Sequence, residues 1–209
     1  MPRIDDFKNT LEIARETFRR KDPKSISLKT GAVYLPNSKG GVLELPLLNR
    51  LISITWPEGE VRAPEGTKEF SLQEQGLIMH YLIQSSGTPI TGTWITFREI
   101  PAGEFYYSAF VKRAKEPLVQ TFGQRPELLL ELGKQIGGTP GKEGDASISF
   151  MVFPQVPITL ILWAGDDEFP PDGNLLFDAS IAQFLSAEDV AVLSGMVVYP
   201  LIGMAYKKP

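Results

Sequence analysis

Apolar residues recur with a helical period in four parts of the chain. Residues 5–20 place them on one helical face, with acidic residues at the start and arginines near the end, which complements the helix dipole. Residues 71–84 begin with a capping-box pattern, and residues 115–136 predict one or two helices. A serine followed by two carboxylates marks the start of a last helix, residues 186–206. The pattern therefore predicts four to five helices.

Two other regions have the character of strands. Residues 25–63 mix alternating apolar and polar positions with β-branched residues and glycine turns, which predicts three short antiparallel strands in the N-terminal half. Residues 146–153 and 156–165 are apolar runs joined by Pro154-Gln155, which predicts a C-terminal hairpin. The order helix, strands, helices, strands, helix indicates an α+β fold. Because the chain shows neither a repeat nor a linker, we expect residues 1–209 to form a single domain.

Composition narrows the possible chemistry. The chain has 209 residues, 43% of them hydrophobic and 22% charged, which is ordinary for a globular domain with a sizeable core. It contains no cysteine and a single histidine, His80, so thiolate and multi-histidine metal sites are excluded within these residues. Any metal would rest mainly on oxygen ligands. The N-terminal residues lack the apolar segment of a signal peptide, and we therefore expect a cytoplasmic location.

Charge is distributed unevenly. Residues 143–206 contain nine carboxylates and no basic residue, whereas the rest of the chain carries a formal +5. Phosphate contacts need lysine and arginine, so we expect no nucleic-acid partner for this acidic part. The uncharged run of 17 residues from Val190 approaches the length of a membrane span. Its serine, glycines and proline favour a buried core helix instead, and no membrane association is expected.

The segment from Trp163 to Asp178 resembles a functional site more than any other part of the chain. Three consecutive carboxylates follow an apolar strand, where they could bind a hard cation or carry out acid–base chemistry. They could equally cap turns and helix ends. The aromatic residues between positions 94 and 110 suit a pocket or an interface. The candidate ligand-binding residues are Trp94, Arg98, Trp163, Asp166, Asp167, Glu168 and Asp178.

His80 lies among apolar neighbours within LIMHYLI. This context favours a partly buried histidine on a packed helix. A catalytic base or a lone metal ligand is the alternative.

Several unusual stretches occur in order along the chain: WITFRE, FPQVP and, above all, WAGDDEFPPDGNLLFDASIAQFLSAEDVAVL. From about residue 25 the chain resembles an uncharacterised family known only as a domain of unknown function. The resemblance implies that relatives of this chain occur in anaerobic bacteria and archaea. It also implies that some family members carry a fused iron–sulfur segment similar to that of corrinoid proteins in one-carbon metabolism. This chain departs from those members because it has no cysteine. An iron–sulfur cluster would therefore belong to a partner.

Three functional hypotheses follow. The first is an accessory domain without catalytic activity, which binds a planar cofactor or docks on a redox or corrinoid protein. The second is an enzyme that uses Asp166, Asp167, Glu168 and Asp178, with or without a divalent metal and with Arg98 or His80 as a partner. The third is a structural or interaction role, in which these carboxylates stabilise turns.

Overall fold

The structure, a computed structural model, describes residues 4–207 and has an α+β fold. This confirms the predicted fold class. The predicted domain limits, residues 1 and 209, lie outside the described residues, and the division into domains stays a prediction. The helices are α1 (Ile4–Arg19), α2 (Pro23–Thr30), α3 (Leu72–Gln84), α4 (Gly103–Phe110), α5 (Glu116–Phe122), α6 (Pro126–Gln135) and α7 (Ala187–Ala205). The strands are β1 (Val33–Asn37), β2 (Gly40–Leu47), β3 (Arg50–Trp56), β4 (Val61–Arg62), β5 (Trp94–Thr96), β6 (Thr139–Pro140), β7 (Ala146–Phe153), β8 (Val156–Trp163) and β9 (Asp172–Asp178).

A π-helical segment, Val111–Lys115, joins α4 to α5 without a break. Residues 4–207 therefore contain six separate helices rather than four to five. The capping boxes predicted at the starts of α3 and α7 are both present.

The helix α2 was missed by the sequence prediction, which assigned its residues to a strand. Asp22 caps the helix by accepting hydrogen bonds from two backbone N–H groups, and Pro23 occupies the first turn. Gly31 ends the helix with a φ of 72° and donates to the carbonyl of Ser27. Asp22-Pro23 therefore ends one helix and starts the next, and strand structure begins only at Val33.

Nine strands form two antiparallel sheets. One is a four-stranded meander in the order β1-β2-β3-β4, and the other has five strands in the order β5-β9-β8-β7-β6. The predicted hairpin is β7 and β8. The prediction missed β9, which pairs along β8 and completes the middle of the second sheet. A backbone hydrogen bond of 2.8 Å from Leu48 N–H to the Val152 carbonyl joins the two sheets.

Helix α7 lies in the core. Ten of its residues are buried, among them Val190, Leu193, Val197 and Leu201, and it packs against α3, α4, α5 and α6. By length and composition it is the one helix among the described residues that could cross a membrane, but a buried core helix passes the same test. Part of its surface lines a cleft.

Candidate functional site

A cavity lies between the start of α3, the π-helical segment and the middle of α7. Its volume is about 540 Å³, within the range of small-molecule sites. We call it the α3–α7 cleft. Its lining residues include Arg50, Lys68, Phe70, Gln73, Arg113, Val192, Gly195, Met196, Tyr199 and Pro200.

A smaller cavity of about 170 Å³ adjoins the α3–α7 cleft. Gln73, Arg113 and Val192 line both cavities. The smaller cavity also contains His80, and α1 covers it with Phe7 and Thr10. The two cavities are therefore neighbours that share part of their lining. Both contain charged side chains, and Glu69 and Glu74 also line the larger one.

His80 and Asp189 form a hydrogen-bonded pair in the smaller cavity. The distance from His80 Nδ1 to Asp189 Oδ1 is 2.8 Å, and the other carboxylate oxygen accepts a hydrogen bond of 2.7 Å from Ser186 Oγ. Because a carboxylate can only accept, Nδ1 carries the proton and Nε2 is left for another contact. The hydrogen bond that His80 donates to Asp189 raises the pKa of His80, whereas burial lowers it, and the charge of Glu188 also raises it.

Arg113 is the cation at the junction of the two cavities. It lies on the π-helical segment, and π-helical turns occur frequently at functional sites. Its side chain is half-buried, yet within residues 4–207 it makes neither a hydrogen bond nor an ion pair. Two nearby carboxylates already have partners: Glu188 accepts from the Tyr106 hydroxyl at 3.2 Å, and Glu74 accepts from the Ser71 N–H at 2.7 Å.

Three features of the surrounding helices weaken them locally. Gly76 is a buried residue inside α3, and a Cβ atom there would have no other heavy atom within 4 Å. Gly195 lies inside α7, where a Cβ atom would make only ordinary contacts at 3.4 Å or more. Pro200 cannot donate a hydrogen bond to the carbonyl of Met196, four residues earlier. Gly76, Gly195 and Pro200 all line one of the two cavities. Residues that lower helix stability are expected at functional sites.

Comparison with known proteins gives one match. A family model described as a domain of unknown function (DUF3786) matches residues 22–199. The chain belongs to this family. The DUF3786 match begins at the N-cap of α2, so it includes α3, the π-helical segment and α7 as far as Tyr199, and it excludes α1. No curated protein and no solved structure matches the chain.

The DUF3786 region does not bring the sequence-predicted site residues together. Trp94 pairs with Asp178 at one end of β9, whereas Trp163 pairs with Asp172 at the other end. The seven residues of β9 separate these ends by about 20 Å. The segment 166–168 follows Trp163, so its carboxylates lie toward the opposite end of the sheet from Asp178. None of these residues lines either cavity described above.

Two of the predicted carboxylates have hydrogen bonds that explain their presence structurally. Asp166 accepts from the N–H groups of Glu168 and Phe169 at 2.9 and 2.7 Å, which closes a turn. Asp178 is buried and accepts from Thr91, Gly92 and Ser180. These bonds attach the loop before β5 to the end of β9. In the part of the chain that the structure describes, no group of three acidic or histidine residues is arranged to hold a metal.

Two of the aromatic residues between positions 94 and 110 belong to the core, whereas Trp94 and Phe105 are exposed. Phe97 and Phe110 are buried and stack with ring centroids 4.3 Å apart, and Phe177 meets both edge-on. Arg98 lies 4.0 Å from the centroid of the Tyr107 ring. Trp94 and Trp163 are each about two-fifths exposed, and the carboxylates Asp167 and Glu168 lie on the exposed turn.

His80 is a candidate in the sequence, whereas its partner Asp189 and Arg113 are not. His80 and Asp189 are 109 positions apart in the sequence. The capping-box pattern at Ser186 already explains why a carboxylate occurs at position 189, so the sequence gives no reason to pair it with His80. Arg113 lies in a helix whose π-helical turn has no sequence signature.

Proposed function

We propose that this domain is a small-molecule-binding module and that its ligand occupies the α3–α7 cleft together with the adjoining cavity. One observation carries the proposal: two neighbouring cavities are lined by Gly76 and Gly195, both inside helices, and a Cβ atom would enter open space at Gly76 and make only ordinary contacts at Gly195. A glycine inside a helix destabilises it by about 1 kcal/mol relative to alanine. Neither residue has a positive φ that would require glycine, so the space itself is the feature that the glycines provide.

The residues that line the cleft suit a ligand of mixed character. Val192, Met196 and Tyr199 supply apolar and aromatic surface, and Arg113 and His80 supply polar groups at one end. Ligand sites are typically apolar pockets with a few polar groups that orient the ligand.

The test is thermal unfolding of the chain against a panel of divalent metals, cobalamin, haem, nucleotides and small carboxylates. A ligand present at about 100 times its dissociation constant stabilises the folded state by roughly 2.7 kcal/mol. We expect Gly76→Leu, which fills the smaller cavity, to abolish the stabilisation. Gly203→Leu is the matched control, because Gly203 is an exposed glycine of α7 that lines neither cavity. Equal stabilisation of both variants would contradict the proposal.

A link to corrinoid or redox one-carbon metabolism, and docking on a redox or corrinoid protein, stay predictions, as does a cytoplasmic location. Cobalamin and haem in the panel test the first of these directly. The alternative of a carboxylate-based enzyme also stays a prediction. The separation of Asp178 from the segment 166–168 gives it less support than the cleft gives to ligand binding.

A further inference from the structure

We propose that the ligand of the α3–α7 cleft is a small organic carboxylate whose carboxylate group lies between the Arg113 guanidinium and Nε2 of His80. This inference rests on the proposed function and adds the chemical class of the ligand. It combines one cation without an ion-pair partner, one histidine whose Nδ1 is occupied by Asp189, and the apolar side chains of the adjoining cleft.

The first step concerns Arg113. A half-buried guanidinium without an anionic partner is unusual, because a guanidinium has five N–H donors and burial removes water from them. Arg113 lines both cavities and makes no hydrogen bond within residues 4–207. A planar carboxylate matches the fork of N–H donors and accepts two parallel hydrogen bonds from it.

The second step concerns His80, which lines the smaller cavity beside Arg113. Asp189 occupies Nδ1 at 2.8 Å. When the ring is protonated, Nε2–H becomes a second donor that can face an anion. The pair with Asp189 stabilises this protonated form, as the raised pKa of His80 indicates. Arg113 and His80 thus supply donors from two different elements to one cavity.

The local charge favours a monoanion over phosphate. Arg113 and protonated His80 are balanced by Glu188 and Asp189, which line the same cavity. A carboxylate adds one negative charge to this neutral set, whereas a phosphate monoester adds close to two. Uncompensated charge is costly to bury. A carboxylate therefore leaves less uncompensated charge in the cavity than a phosphate monoester does.

The third step concerns the rest of the ligand. Beyond the charged end, the α3–α7 cleft continues along Val192, Met196 and Tyr199 of α7. These side chains can pack against an alkyl or aryl group. A carboxylate attached to an apolar body would thus use both cavities at once.

The experiment is NMR of the His80 imidazole in the untagged chain, where the only histidine gives an unambiguous signal. The probes are phenylacetate and hexanoate, their neutral amides phenylacetamide and hexanamide, and inorganic phosphate. We expect the two carboxylates to shift the His80 signals saturably, and the amides and phosphate to leave them unchanged. Arg113→Gln should weaken phenylacetate binding about tenfold or more, because hydrogen bonds to charged groups are strong.

Lys112→Gln is the matched control, since Lys112 lies on the same π-helical segment, is exposed and lines neither cavity. It removes the same charge and should keep full affinity. Arg113→Lys, which retains the charge without the planar fork, should bind phenylacetate with intermediate affinity. Affinity should also fall as the pH rises through the pKa of His80. The other titratable groups that line the smaller cavity with His80 are Arg113, Glu188 and Asp189, and Tyr106 donates to Glu188; α1 lines the cavity with Phe7 and Thr10.

Two sets of results would overturn the inference. Amides or phosphate that shift the His80 signals as strongly as the carboxylates would show that the carboxylate is not what is recognised, and the cleft would remain a ligand site of another class. Unchanged His80 signals with every carboxylate, or equal losses in Arg113→Gln and Lys112→Gln, would also refute it. The proposed function fails separately, if Gly76→Leu retains the stabilisation by every ligand of the thermal panel.

Discussion

Replacing Gly76 by alanine should stabilise the protein while reducing the volume of its site. Gly76 lies inside α3, and a Cβ atom there meets no other heavy atom within 4 Å. The gain in helix propensity is about 1 kcal/mol. Partial burial of the added methyl group contributes up to about 0.8 kcal/mol. The expected increase in the free energy of unfolding is thus about 1 to 2 kcal/mol.

For a chain of this length, such an increase raises the melting temperature by about 2–4 °C per kcal/mol. Urea unfolding followed by circular dichroism measures the change, and the midpoint should rise with an unchanged slope. Gly203→Ala is the control and should gain about 1 kcal/mol or less, from helix propensity alone. The reasoning is refuted if Gly76→Ala lowers the free energy of unfolding, because the space beside Gly76 would then not be open.

Four further predictions concern three side chains outside or beside the cleft. Asp178→Asn should lose about 3 kcal/mol of stability, since it leaves the buried Ser180 N–H without a carboxylate acceptor; urea unfolding would contradict this with a loss below about 1 kcal/mol. Burial alone would raise the pKa of Asp178, but hydrogen bonds from Ser180 and Thr91 outweigh burial and lower that pKa to about 2. The free energy of unfolding of the wild type should therefore fall by about 2 kcal/mol as the pH falls from about 4 to 2. The same fall in Asp178→Asn would contradict this prediction. Because the pKa of His80 is raised, protonated His80 stabilises the folded protein fully below about pH 6.5, and this stabilisation is lost as the pH rises through the raised pKa. The free energy of unfolding of His80→Gln should not decline over this pH range. If it does decline, another group causes the decline. Asp166→Asn should change stability by no more than about 0.5 kcal/mol and leave ligand binding unaltered, so a lost thermal shift in this variant would restore the acidic segment as the site.

The parts of the fold that sequence predicted are those with strong local patterns. Helices α1, α3 and α7 have a periodic apolar face or a capping box, and β7 and β8 are continuous apolar runs with a turn between them. The failures have local causes too. The short helix α2 alternates apolar and polar residues like a strand, so only its caps at Asp22 and Gly31 identify it.

The candidate site was not predictable in the same way. Three consecutive carboxylates at 166–168 are easy to recognise in the sequence and predicted a site there. In the structure Asp166 closes a turn. The cleft depends on α3, α7 and the π-helical segment meeting in space, and it depends on glycines that leave room rather than on side chains that fill it. His80 is the one residue of the site that stands out in the sequence. Its role as half of a hydrogen-bonded pair is visible only when Asp189 is placed beside it.

The most direct test of the binding module is a crystallographic fragment soak with carboxylates, amines and neutral compounds in equal numbers. We predict that fragments collect in the α3–α7 cleft, between Gly76 and Gly195, and that carboxylates predominate near Arg113. An empty cleft, with fragments gathered instead at the turn of Asp166 or along the exposed face at Trp94, would contradict the central claim.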